Sequence, residues 1–231
     1  PRRRVIDALL AEAAADAGAE VVYGSRLVDL ERAPDGRVNG ALIGERGGAV
    51  RRVGAGIVIG ADGRRSTVAR LVDAETCRES RNACGVVYTF WPGLENARSR
   101  WFYRPGVSAG SIPTNGGDAC VFAATPQARF HTEIRTDMEA GYHRVLAECA
   151  PGLAAEVAGK TPSEPFRGFP GEPGRIRRSH GPGWALVGDA GYFKDPITAH
   201  GITDALRDAE ILARGVLRGT DGALAEYQST R

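Results

Sequence analysis

Two stretches of the sequence carry residues whose types and spacing can do binding chemistry. The first, Gly60-Ala61-Asp62-Gly63-Arg64-Arg65-Ser66-Thr67-Val68-Ala69-Arg70, follows the apolar run Gly56 to Gly60. A strand that ends in Asp-Gly and turns into a Ser- or Thr-capped helix sets a carboxylate and open backbone N–H groups at the C-terminal edge of a parallel sheet, where α/β folds bind ligands. The same residues also make an ordinary turn, with Ser66 no more than a helix cap. The second stretch runs from Trp184-Ala185-Leu186-Val187-Gly188-Asp189-Ala190 through Asp195-Pro196 to Ala199-His200-Gly201 and a helix. Asp189 can accept hydrogen bonds from the hydroxyls of a sugar or ribityl chain, and Gly188 permits close backbone approach. Pro196 stiffens the next turn. The N–H groups around Gly201, at a helix N-terminus, can face an electron-rich carbonyl oxygen and stabilise negative charge gathering on it. A Gly-Asp turn and an Asp-Pro loop without a ligand remain the structural alternative. His200 is the one candidate catalytic side chain, although a lone histidine also serves as a satisfied structural residue.

These residues need elements to hold them. Apolar positions at Val5, Ile6, Leu9, Leu10, Ala13, Ala14 and Ala17 predict an amphipathic helix closed by Gly18. After a short β-branched run, Glu20 to Tyr23, come three strand-like segments, Leu27 to Arg32, Arg37 to Glu45 and Val50 to Val53, separated by turn residues and so read as an antiparallel meander. Gly56 to Gly60 is apolar on both faces, as a covered parallel strand is. From Asn82 to Thr125 longer alternating strands carry Tyr88, Trp91, Trp101, Phe102 and Tyr103. They predict an antiparallel sheet of their own, with Tyr88, Trp101 and Tyr103 as candidate pocket residues; an aromatic stripe of this kind also builds ordinary core. A helix from Asp137 to Ala150 is expected to pack on that sheet. The Pro- and Gly-rich stretch Pro162 to Pro182 reads as a connection to a buried strand, Trp184 to Val187, and a last helix from Ile202 to Leu217.

Composition narrows the classes. The 231 residues, 42% hydrophobic, suffice for one large domain or two small ones. A net charge of only +2 gives no field for nucleic acid or an anionic membrane surface. Among the basic residues only Lys160 and Lys194 are lysines, a bias that fits a GC-rich bacterial genome rather than a functional basic patch. Cys77, Cys84, Cys120 and Cys149 show neither CxxC spacing nor a nearby His cluster, so neither a metal site nor a disulfide framework is expected and a reduced, cytoplasmic setting fits best. No apolar run reaches the length of about 18 residues that a membrane span needs.

The pair GADGRRSTVAR and ALVGDAGYFKDPITAHGITDALRDAEIL resembles the second and third flavin motifs of the aromatic-hydroxylase-like (p-hydroxybenzoate hydroxylase-like) FAD oxidoreductases, which include geranylgeranyl reductases and flavin halogenases. The opening PRRRVIDALLAEAAADAGAEV looks like the same family's helix after an arginine lying against the cofactor. The resemblance implies an α/β fold: an FAD-binding Rossmann-like domain of the glutathione-reductase type, formed by residues 1–80 and 170–231, with an inserted antiparallel-sheet substrate domain, residues 81–169. It implies that Arg3 contacts the phosphate or ribityl part of FAD, Asp62 lies near the pyrophosphate, Asp189 holds a ribityl hydroxyl beside Gly188, Pro196 lies at the ring edge, and the backbone of Gly201 and Ile202 lies near the pyrimidine end. The implied activity is NAD(P)H-dependent oxygenation of a small aromatic or polyketide-like substrate through a flavin hydroperoxide. The alternatives are flavin-dependent reduction of an isoprenoid double bond, and a noncatalytic fragment or binding module.

Departures from the family pattern sharpen these expectations. Where the family has glycines and an early Asn at the last helix, Ala199, Gly201 and Thr203 stand; Tyr192 replaces a frequent His. No Trp-x-Trp-x-x-Pro stretch supports a tryptophan-halogenase reading. The GxGxxG turn that cradles a pyrophosphate is absent from the sequence, so the Rossmann-like domain is expected to be incomplete and the chain alone inactive, with activity in a longer parent.

Overall fold

The computed structural model describes residues 2–94 and 98–231. The first third holds helix α1 (Arg3–Asp16), strands β1 (Arg26–Arg32), β2 (Val38–Gly44), β3 (Val50–Gly54) and β4 (Val58–Gly60), helix α2 (Thr67–Leu71) and strand β5 (Thr76–Glu79). Strands β6 (Cys84–Trp91), β7 (Arg100–Arg104), β8 (Val107–Pro113) and β9 (Ala119–Pro126) follow. Next come α3 (Gln127–Arg129), running into a π-helical turn at Phe130–Ile134, then α4 (Met138–Cys149) and α5 (Pro151–Val157). The last third holds β10 (Arg167–Phe169), β11 (Arg175–Arg177), β12 (His180–Gly181), β13 (Trp184–Leu186), β14 (Tyr192–Phe193), α6 (Gly201–Arg218) and α7 (Asp221–Thr230). These form two compact units. One comprises Val22–Ser80, Gly174–Lys194 and Thr198–Arg231; the other comprises Pro1–Val21, Arg81–Pro173 and Asp195–Ile197.

The first of these, the motif unit, is built on β4 and β13, which pair in parallel with Leu186 opposite Gly60. Trp184, Ala185 and Leu186 are all buried, as a run apolar on both faces requires. The meander β1-β2-β3 is antiparallel, and its Leu30, Val38 and Ala41 meet Val68, Trp184 and Leu186 in one core cluster. A second cluster joins Ala185 to Leu212, Leu224 and Tyr227 on the two last helices. Helix α6 stops at Gly219, whose φ of 69° gives the left-handed cap, and Thr220 then caps α7 by accepting from the Ala223 N–H. The short β-branched run Glu20 to Tyr23 forms no strand among the described residues, since such a run without a pairing partner gains nothing from its propensity. One reading of the sequence differs from what forms. Strand β4 lies at the edge of its three-stranded sheet, and Ile59 stays 43% exposed instead of covered on both faces.

The five-stranded unit has the strand order β10-β6-β9-β8-β7, antiparallel throughout. One face carries Val87, Trp91, Ala109, Val121 and Ala123 against Tyr142, Val145, Leu146, Leu153 and Val157 of α4 and α5. Each fully buried Val or Leu in this layer contributes roughly 1.5–3 kcal/mol. Asp137 caps α4 through the Ala140 N–H, and the buried Trp91 Nε1–H donates to the Tyr142 hydroxyl at 3.0 Å. The Pro- and Gly-rich connection holds β10, which pairs with β6 and gains register from its neighbour rather than from its own residues. Helix α1 buries no residue, so its apolar stripe, with Leu9 at 59% exposure, stands open.

Candidate functional site

In the motif unit the two sequence motifs leave the same edge of the parallel pair. The Val187 N–H donates to the Gly60 carbonyl at 3.0 Å, so the Asp62 turn and the Gly188 turn start side by side. The Asp62 carboxylate accepts from Ser66 Oγ at 2.5 Å and from the Thr67 and Val68 N–H groups at 2.6 and 3.2 Å, while Ser66 Oγ accepts from the Ala69 N–H at 2.9 Å. Both side chains therefore shape the start of α2. Arg177 of β11, half-buried, donates to the Ala190 carbonyl at 2.8 Å. Burial and neighbouring Arg175 lower the pKa of its guanidinium, and the charge of Asp62 opposes them.

Gly188 has φ 58°, and a Cβ there would lie 3.1 Å from the Ala205 Cβ, so α6 rests directly on this turn. One helical turn beyond Ala205, the carboxylate of Asp208 accepts from the Gly188 N–H. Asp208 is 1% exposed and its Oδ2 lies 3.4 Å from Arg231 Nη2, itself 2% exposed. Arg231 donates to the Tyr227 hydroxyl at 2.8 Å, which donates to the Leu186 carbonyl at 2.8 Å. Burial raises the pKa of Asp208 despite the attraction of Arg231. Asp189, half-buried, sits on the turn so held. Asp208, Arg231 and Arg177 were not legible as site residues in the sequence; the one available signal for Asp208 is an acid four residues before Leu212, on the buried stripe of α6.

His200, Gly201 and Ile202 are exposed at the start of α6, and no side chain caps that helix. The first in-helix bond runs from the Asp204 N–H to the His200 carbonyl at 2.9 Å, leaving the amides ahead of it to an outside acceptor. Ala199 has φ 52°, a left-handed conformation that alanine adopts at a cost and glycine adopts without one. The backbone here thus follows a path that glycine would adopt without strain. An uncapped helix N-terminus suits an electron-rich carbonyl, and a carboxylate on a glycine turn suits a hydroxylated chain; these are the donors and acceptors that a flavin with its ribityl chain needs.

In the five-stranded unit, pairing places Tyr88 opposite Phe122, Phe122 opposite Gly110, Gly110 opposite Trp101, and Tyr103 opposite Ser108. Tyr88, Trp101 and Tyr103 thus share the face away from α4 and α5, whereas Trp91 and Phe102 turn to the helices. Gly110 is what lets Phe122 lie on the sheet: a Cβ there would come within 2.6 Å of the ring. The ring centroids of Trp101 and Phe122 are 5.2 Å apart. At one end of this face a pocket of about 240 Å³ is lined by Cys84, Tyr103, Ser108, Ala124 and Ile197, among others. The loop bearing Pro196 is fixed by Asp195, whose carboxylate accepts from the Cys84 N–H at 2.7 Å and the Ile197 N–H at 3.0 Å. Burial, with the nearby Asp195 charge, pushes the Cys84 thiol up to about 11, so it is no thiolate nucleophile at neutral pH. Arg3 is exposed and pairs with Asp7 at 2.7 Å. Its neighbour Arg2 is the buried one, bonded to Asp118 and Glu164 and lying over the Phe90 ring at 4.0 Å.

A family model described as "FAD binding domain" matches residues 2–231. The chain is 29% identical over 231 residues to a digeranylgeranylglycerophospholipid reductase of Methanothrix thermoacetophila, covering 95% of this chain and 56% of that protein. It is 26% identical over 243 residues to a menaquinone reductase of Mycolicibacterium smegmatis, covering 98% of this chain and 55% of that protein. The chain thus spans about half the length of the curated relatives it matches. Among solved structures, the flavin-dependent brominase Bmp2 superposes with a TM-score of 0.86 at 18% identity, over 99% of this chain and 59% of that one. That likeness is one of fold.

Proposed function

The chain belongs to the FAD-binding domain family of flavin-dependent oxidoreductases, and from that premise we propose that it serves the reduction of an apolar, unsaturated or quinone-like substrate, with NAD(P)H as electron donor. The observation that carries this reading is the sheet face of Tyr88, Trp101 and Tyr103, half-open and aromatic. The names of the two reductase relatives support it.

Bound FAD supplies hydride acceptance from the nicotinamide and electron delivery to the substrate. The protein's own share is binding, orientation and charge. Asp189, on the turn that Asp208 holds, would accept from a ribityl hydroxyl, and the Asp62 turn would lie near the pyrophosphate. With FAD bound, the open amides of Gly201 and Ile202 would stabilise negative charge at the pyrimidine end, and the family pattern would put Pro196 at the ring edge. Arg3, exposed and paired with Asp7, would be the contact to the phosphate or ribityl part. His200 stands beside those amides as the candidate for holding a proton there. On the sheet face, aromatic side chains seat the substrate and exclude water.

The test is direct. Full-length protein purified gently or reconstituted with FAD is expected to be yellow, and Asp189→Ala to weaken FAD retention. Reduced anaerobically with NAD(P)H, the protein is expected to be reoxidised by a polyprenyl quinone or isoprenoid acceptor without oxygen. Reoxidation that needs both oxygen and substrate, with an oxygen atom incorporated, would establish the hydroxylase reading instead. No flavin under either preparation would end the enzyme reading altogether.

A further inference from the structure

The pocket of about 240 Å³ in the five-stranded unit is walled mostly by apolar groups, and two of its buried lining residues, Ser108 and Thr125, carry hydroxyls. Thr125 turns by strand alternation to the helix side with Ala123, where its Oγ1 has no partner among the described residues. Ser108 is only 5% exposed, and on the sheet face it shares with Tyr103 and Ala124 it is directed toward this pocket. No hydrogen bond holds its hydroxyl among the described residues, so the Oγ is open to whatever occupies the pocket. The charged residue on the rim, Arg104, lies on the opposite side of the sheet by strand alternation, where its charge is felt by Cys149 and Glu148. The carboxylate of Asp195 lies behind Cys84 and already accepts two backbone N–H groups.

A pocket with mostly apolar walls, no cation turned into it, a carboxylate nearby and, on the face of Tyr103 and Ala124, the unengaged Ser108 hydroxyl suits a neutral oxygen function rather than an anion. We propose that this pocket takes the neutral carbonyl or hydroxyl end of an otherwise apolar substrate, and that Ser108 is the specificity-determining residue that hydrogen-bonds it. This rests on the reading of the aromatic sheet face as the substrate seat and adds the class of polar group recognised there. The volume admits one small ring or chain end, with the rest of the molecule lying along Trp101 and Phe122.

The experiment uses the full-length protein with its flavin oxidised, and two probes of one shape: menadione, with two ring carbonyls, and 2-methylnaphthalene, with none. Binding is read from quenching of tryptophan fluorescence, Trp101 being 37% exposed on this face. Ser108→Ala is expected to weaken menadione binding roughly three- to tenfold, the worth of one neutral hydrogen bond, and to leave 2-methylnaphthalene unchanged. Ser108→Thr, which restores a hydroxyl, is expected to recover most of the loss. An equal loss for both probes, no loss for either, or failure of the wild-type protein to bind menadione more tightly than 2-methylnaphthalene would overturn the proposal. Tyr103→Ala, at an exposed wall residue, separates the two levels. If it weakens both probes while Ser108→Ala weakens neither, the seat stands and the role of Ser108 falls; if it moves neither probe, the seat itself is elsewhere and the proposal falls with it.

Discussion

Asp208 offers the sharpest test of how the Gly188 turn is held. Its carboxylate and the Arg231 guanidinium are 1% and 2% exposed and 3.4 Å apart, and the Gly188 N–H has Asp208 as acceptor. Removing one partner of a buried pair leaves the other charge uncompensated, at a cost of about 3–5 kcal/mol, and strands a buried N–H, at about 1–3 kcal/mol. Against this, truncation relieves the burial penalty that raises the Asp208 pKa. Asp208→Ala is therefore expected to destabilise the protein by about 3 kcal/mol in denaturant unfolding and to speed hydrogen exchange at Gly188. Asp208→Asn, which keeps an acceptor for that N–H, should protect the amide while still losing the charge pair. Adding Arg231→Met to Asp208→Ala should recover at least half of the loss, because a buried pair replaced by apolar groups is close to neutral. A loss below about 1 kcal/mol for Asp208→Ala, with Gly188 exchange unchanged, would refute the assigned role.

Other substitutions probe the backbone and the charges. Ala199→Gly relieves a left-handed alanine and is expected to stabilise by about 0.5–1 kcal/mol in thermal unfolding; a loss would show that φ is not held near 52°. Gly110→Ala drives a methyl to within 2.6 Å of the Phe122 ring and is expected to cost about 1–3 kcal/mol and alter the fluorescence of Trp101. The Arg2–Asp118 and Arg100–Glu156 pairs carry a pH signature. Hydrogen bonds from Ser163 and Arg2 hold Asp118 below its ordinary 3.8, and Arg100 holds Glu156 below 4.5. Carboxylates lowered by folding stabilise above their unfolded values and lose that contribution as pH falls through the folded ones. Stability of the five-stranded unit should thus be level above this range and decline below about pH 4, and Arg2→Met should flatten the decline.

Much of the architecture was legible in the residues because it rests on local rules. Alternation along Cys84–Trp91 and Ala119–Pro126, turn residues between the meander strands, and the apolar run Trp184–Leu186 each bury their side chains only in the elements that formed. The carboxylates of Asp62 and Asp189 could be placed on turns after strands for the same reason. Tertiary structure alone decided what those groups touch. That Asp62 spends its oxygens on α2, that Asp208 reaches back to Gly188, and that Arg2 rather than Arg3 is buried all depend on chain segments brought together by packing, with pairs such as Arg2 and Glu164 far apart in sequence. Register decided the aromatic residues too. Tyr88, Trp101 and Tyr103 share a face with Ser108 because strand pairing aligns them, and a shift of one residue would send them into the helical core.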